Sequence, residues 1–280
     1  MTLSHRTPSL WCALLATAAL IAGAPARAAE PGDLALKAAI AGSQRTPANG
    51  VRDPARHPYE TLSFFGLKPT QTVVELSPGG GWYTEILAPY LRDKGQLILA
   101  ADDPASPSAY SQRSAARLKA KLEAQPAVYD KVQVGVFDAG AGKLQYAAPS
   151  SVDLVLTFRN VHNWVQLGDA KTVAVFKSAF DVLKPGGVLG VVDHRRPVGQ
   201  PQDEKAESGY LHEAYVIRIA QGAGFKLAAK SEVNANPKDT ADHPGGVWSL
   251  PPTFGLKDKD RARYEAIGES DRMTLKFVKP

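Results

Sequence analysis

The chain has 280 residues, of which 44% are hydrophobic and 22% charged, a balance that buries a real core and excludes a chain disordered throughout. Its formal net charge of +5 is too mild for the dense basic surface of a nucleic-acid binder, and its single cysteine, Cys12, excludes a disulfide framework.

In chain order, His5 and Arg6 precede an apolar run over residues 10–24, and Ala26-Arg27-Ala28 supplies a small-x-small cleavage pattern. This predicts a signal peptide over 1–28, cut after Ala28, with a periplasmic or secreted product. The run is shorter than the ~20 apolar residues of a spanning helix, so no membrane anchor is expected after cleavage. Cleavage removes Arg6, Arg27 and Cys12, leaving 31 basic against 28 acidic residues and no cysteine. Cysteine-ligated metals are thereby excluded along with disulfides.

Residues 29–70 are expected to form an N-terminal arm and helices. Residues 33–41 suit a short helix, and "GSQRTPANGVRDPARHPYE" reads as an arm lying over a domain. Strands are predicted at 72–76, 96–101, 131–137, 152–158 and 188–192, with helices at 82–91, 108–124 and 170–183. Near-continuous apolar strands alternating with helices indicate an α/β, doubly wound, Rossmann-like sheet covered on both faces. A helix at 210–221, a sixth strand at 225–233 and a seventh at 272–278 complete the domain, 71–280. Between the last two strands, residues 234–256, rich in Pro, Gly and Asp and holding Trp248, read as a lid-like insertion.

In such a sheet the ligand lies beyond the carboxyl ends of the strands, so the turn after the first strand enters the site. That turn stands in "VVELSPGGGWYTEILAPYL", where Gly79, Gly80 and Gly81 leave the backbone bare and free to take positive φ. A dinucleotide fingerprint counted from Gly79 runs to Gly81 and then Thr84, where a small residue is required, so NAD is disfavoured.

The motif "VVELSPGGGW" resembles the first motif of class I S-adenosylmethionine-dependent methyltransferases, with Glu75 in the acidic position and Ser77, Gly79 and Gly81 in the glycine positions; serine replaces the first glycine. "DLVLTFRNVHNW" resembles that family's fourth strand and following helix, and "VLKPGGVLGVVDHR" its Pro-Gly-Gly turn and fifth strand. Within the family the chain is similar to a group of exported, predicted methyltransferases.

The resemblance implies seven strands with an antiparallel last one, S-adenosylmethionine as cofactor, and methyl transfer. It implies that Glu75 faces the cofactor's amino-acid tail or organises the turn. Asp102 or its neighbour Asp103 would accept the ribose hydroxyls, Asp102 being preferred. Asp138 would accept from the adenine amino group beside Phe137 or Ala139, or simply form a turn before Gly140.

Five histidines follow residue 28: His57, His162, His194, His212 and His243. A zinc site could use three of them with Asp193, but none has helical i, i+4 or close ligand spacing, so no metal is expected. His162 and His194 each follow a strand that opens onto the site and suit a general base, His162 otherwise capping a helix. Asn160 and Asn163 stand near His162. Arg159, with Arg195 and Arg196, suits a carboxylate or phosphate, and Trp82, Tyr83, Trp164 and Trp248 suit an apolar slot. Arg159, Asn160 and Trp248 are the expected substrate contacts, and a small molecule is the expected substrate. Export separates the chain from cytoplasmic cofactor, which keeps a cofactor-binding protein or sensor without transfer, or other chemistry on the same fold, beside the methyltransferase.

Overall fold

The computed structural model describes residues 1–3 and 32–280, so the expected signal peptide and its cut after Ala28 lie outside the described residues. The fold is that of the unit Asp33–Pro280. Its strands are β1 (Thr72–Leu76), β2 (Gln96–Ala101), β3 (Gln133–Val136), β4 (Val152–Phe158), β5 (Leu183–His194), β6 (Lys226–Ser231) and β7 (Arg272–Val278). They form one mixed sheet in the order β3-β2-β1-β4-β5-β7-β6. β7 runs antiparallel to both of its neighbours, and the pairs from β3 to β5 are parallel.

Alternation along the central strands builds two cores. On β1, Val73 faces one core with Leu97 and Leu99 of β2, while Val74 and Leu76 face the other with Val155 and Val191. Both faces are covered, which is why these strands read as unbroken apolar runs. Glu75 shares the face of Val73 and is carried into the protein by the same period of two.

Helices α1 (Leu34–Ala41), α2 (Pro47–Gly50), α3 (Asp53–Arg56) and α4 (Pro58–Phe65) precede the sheet. The stretch read as an arm is therefore mostly helical. Its prolines, which argued for loop, stand in the first turns of α2, α3 and α4, where a missing N–H costs nothing. Leu62 and Phe65 of α4 are fully buried, each contributing about 1.5–3 kcal/mol. Gly190 admits this helix: a Cβ there would meet Phe65 at 2.7 Å.

The later helices are α5 (Thr84–Leu91), α6 (Ala109–Ala124), α7 (Pro126–Tyr129), α8 (Val161–Val165), α9 (Asp169–Val182), α10 (Glu213–Gly222) and α11 (Arg261–Ile267). α5 begins two residues later than predicted, after the glycine turn. β3 is shorter than predicted, and its Val134 and Val136 are exposed, as an edge strand permits. β5 begins earlier than predicted because Leu183 already pairs with Val152. The insertion is tied down: Asn234 donates to Thr61 and Thr274, both at 3.0 Å. Buried Asp239 accepts from Tyr210 at 2.9 Å and from the His243 ring at 2.8 Å. No helix among the described residues is long and apolar enough to cross a membrane.

Candidate functional site

Two adjoining clefts open at the carboxyl ends of β1, β2, β4 and β5. They share Ser77, Gly79, Tyr110, Asn160 and Asn163, so the turn after β1 and the turn after β4 form the wall between them.

The turn after β1 alternates in hand: Ser77, Gly79 and Gly81 all take left-handed φ, at 51°, 56° and 75°. Two of these positions are glycine, where the conformation is free; Ser77 adopts it against a steric cost of about 1–2 kcal/mol. A Cβ on Gly79 would meet no atom within 4 Å, so any side chain there would project into the clefts. Glu75 lines neither cleft. It lies beneath the turn, 3% exposed, and accepts from the Thr84 hydroxyl at 2.7 Å, tying β1 to the start of α5. Burial pushes its carboxyl up to about 8 against the opposing effects of Thr84 and Lys121.

The first cleft, of about 420 Å³, runs over the ends of β2 and β3. Asp102 lines it, and its carboxylate has no hydrogen-bond partner among the described residues. Asp103 turns away, accepting from Ala105 N at 2.8 Å and pairing with Lys143, which holds its carboxyl below the ordinary range. Asp138 lines the cleft and also closes a turn, accepting from Ala141 N at 2.9 Å. Phe137, Ala139, Trp164 and Leu167 supply apolar walls, with the Phe137 and Trp164 rings 5.8 Å apart.

The second cleft, of about 360 Å³, is lined by Arg159, His162 and His194, by Trp82, Asn49 and Arg52 from the N-terminal side, and by Val247, Trp248 and residues 251–253 of the insertion. Asp193 organises it. Its Oδ1 faces His162 Nδ1 at 2.8 Å and accepts from His194 N at 2.7 Å, while its Oδ2 accepts from His162 N at 3.2 Å. A carboxylate accepting these bonds leaves the hydrogen on His162 Nδ1 and the lone pair on Nε2. His194 Nδ1 bonds Ser270 Oγ at 2.6 Å, and the two rings lie 5.1 Å apart. Neither Nε2 has a hydrogen-bond partner among the described residues. Burial above all, helped by His162, Arg159 and Arg272, drives His194 well below its ordinary value, so it is neutral at pH 7.

Arg159 also takes a left-handed φ, 62°, and its N donates to Val192 O at 2.7 Å. Burial pushes its guanidinium down to about 10. Asn160 spends its amide on the architecture, donating to Leu76 O at 3.1 Å, Ser77 O at 3.2 Å and Thr157 Oγ1 at 3.2 Å, which fastens the β4 turn to the β1 turn. Trp248 stands edge-on to His162 at 6.1 Å.

Asp193 stands beside His194 in the sequence, an acid inside the apolar run of β5, and the structure brings it to His162 as well; Ser270 and Arg52, remote in sequence, carry no such signal. His162, Asp193 and His194 bring donor atoms within 4.8 Å of one another, a grouping no ligand-spacing motif records. The oxygens of Asp193 are engaged by the three N–H groups, so it positions the imidazoles. His212 lies elsewhere, its Nε2 at 2.9 Å from Gln200 O. Arg195 is paired with Asp271 at 2.8 Å and lies outside both clefts.

No protein-family model matches the chain, and neither does any curated protein. Solved structures do. A SAM-dependent methyltransferase from Aquifex aeolicus aligns over 84% of this chain and 95% of its own, at 15% identity and a TM-score of 0.56. The [4+2]-cyclase SpnF aligns over 88% and 91%, at 16% identity and a TM-score of 0.56. These likenesses establish the fold, a seven-stranded Rossmann-like sheet of the kind found in S-adenosylmethionine-dependent methyltransferases. A methyltransferase and a cyclase on one fold leave the reaction to be argued from the site.

Proposed function

We propose that the chain is an S-adenosylmethionine-dependent methyltransferase acting on a small molecule, and that it works after export, its leader removed behind Ala28. The observation that carries this reading is the pair of clefts meeting at Gly79: one offers an unpaired carboxylate and an apolar slot, the other an imidazole held by an acid.

The residues of the first cleft fit the cofactor. The unpartnered Asp102 carboxylate suits two ribose hydroxyls, and Phe137, Ala139 and Trp164 suit a flat base whose amino group Asp138 would accept. The glycine turn leaves the backbone open toward the amino-acid tail, while Glu75 holds that turn from beneath. When bound, S-adenosylmethionine supplies a methyl group already activated on a sulfonium, so the protein's main contribution is alignment and exclusion of water.

In the second cleft, Arg159 and Trp248 meet the acceptor, and His162 Nε2 receives the proton of its hydroxyl or amine. Asp193 stabilises the imidazolium that forms, and such a base contributes about 10²–10⁴-fold. His194, kept neutral by burial, shapes the adjoining wall without adding charge. The insertion closes the acceptor side with Val247 and Trp248.

Calorimetric titration with S-adenosylmethionine and S-adenosylhomocysteine tests the reading. Binding of both is expected, followed by methyl release with a panel of small hydroxyl and amine acceptors. No binding at millimolar ligand would reject the cofactor; binding without transfer to any acceptor would favour a cofactor-binding protein.

A further inference from the structure

We propose that the second cleft takes an acceptor bearing a carboxylate or comparable small anion, held between the guanidiniums of Arg159 and Arg52. The identity of the acceptor as a methylated molecule rests on the reading above; the anion site does not.

Cations outnumber anions here. Around the inner end of the cleft stand Arg52, Arg56, Arg159 and Arg272, and the one carboxylate bonded among them is Glu269. It accepts from Arg52 Nε at 2.8 Å, Arg56 Nε at 3.0 Å and Arg272 Nη1 at 2.9 Å. Arg56 and Arg272 are 2% and 3% exposed, whereas Arg52 and Arg159 are partly exposed where they line the cleft, so a ligand entering it meets these two. Arg52 Nη2, Arg56 Nη2 and Arg272 Nε are buried donors with no partner among the described residues. The Arg159 side chain makes no hydrogen bond to any described residue. Nearby Glu75 lies beneath the turn and is engaged by Thr84, and Asp53 is committed to Arg45 at 2.5 Å.

Uncompensated buried charge is costly, and a guanidinium presents a fork that fits a carboxylate. Arg159 lines the cleft from a left-handed backbone, φ 62°, where an arginine is strained. Strain and surplus charge at one place are what a binding site leaves unresolved until its ligand arrives. The same cleft holds His162 and His194, so the anion would anchor the acceptor beside the base.

The test titrates the full chain, saturated with S-adenosylhomocysteine, with benzoate, 4-hydroxybenzoate and succinate, each against the corresponding amide. At least one carboxylate is expected to bind about tenfold tighter than its amide, a difference of about 1.4 kcal/mol. Arg159→Gln and Arg52→Gln should each remove that preference while S-adenosylhomocysteine affinity stays within about twofold, too small a change to mark lost contact. Arg159→Gln should also melt no lower than the parent, because it removes an unbalanced cation, whereas a structural arginine would lower the melting temperature. The proposal is overturned if no carboxylate outbinds its amide, or if the preference survives both substitutions. It is equally overturned if Arg159→Gln weakens S-adenosylhomocysteine but not 5′-methylthioadenosine, which would put the cofactor's own carboxylate on this arginine. Should the parent fail to bind S-adenosylhomocysteine, methyl transfer falls, and the carboxylate-to-amide contrast on the unliganded protein still decides the anion site.

Discussion

The two clefts are built by opposite means. The first is made from strand ends close to the glycine turn: Asp102 follows β2, Asp138 follows β3, and the Asp102 carboxylate is unpaired among the described residues. The second is assembled from segments far apart in the chain, Arg52 near the start, His162 and His194 in the middle, Trp248 and Ser270 near the end. His162, His194 and Ser270 are buried and Arg52, Arg159 and Trp248 partly so, and each imidazole is held through Nδ1, by Asp193 and by Ser270. The contrast teaches that strand ends near the glycine turn supply most of the first cleft, whereas the second adds to the ends of β4 and β5 residues from the N-terminal helices and the insertion.

Asp193→Asn should reduce methyl transfer most, by about 10³-fold, because the amide no longer holds His162 in the tautomer that exposes the Nε2 lone pair. Steady-state rates with S-adenosylhomocysteine affinity measured in parallel would check it; a loss of affinity comparable to the loss of rate would show that the two clefts are not separable. Gly79→Val should weaken S-adenosylhomocysteine by about 100-fold, combining a strained left-handed valine with a side chain pushed into the shared wall. Titration calorimetry reads this directly, and an unchanged affinity would mean that the ligand lies elsewhere.

Asp102→Ala should cost about tenfold in the same titration, the scale of one lost charge-assisted contact, with Asp103→Ala near neutral. Reversal of that order would reassign the ribose contact. The smallest effect concerns Glu75. The folded protein holds its proton up to about 8, whereas the ordinary value is 4.5, so stability declines as pH rises from 4.5 toward 8. Glu75→Gln removes that decline. Ligand-free protein carrying it should melt several degrees above the parent at pH 8 and close to it at pH 4, since about 1 kcal/mol moves a domain of this size by about 2–4 °C. Equal gains at both pH values would show that the buried carboxyl is not the cause.

How far the sequence reaches can be followed through individual residues. Val73, Val74 and Leu76 announce a strand covered on both sides, and the glycines behind them announce a sharp bend with a bare backbone; local sterics and periodicity suffice for both. The prolines of residues 42–60 misled, because proline marks a loop and a helix start with the same letter, and only the packing of Leu62 and Phe65 against the sheet separates the two. Ser77 stood out as a departure from glycine, yet its strained φ is visible only in the folded turn. What the amino-acid order determined by itself was the run of strands and helices and the place where the chain must bend sharply, since these follow from interactions between near neighbours. What tertiary structure alone decided was which charges go unpaired and which imidazole meets which acid. Those depend on burial and on contacts across scores of residues, from Arg52 to Glu269 and from His162 to Asp193, and no short stretch of sequence encodes them.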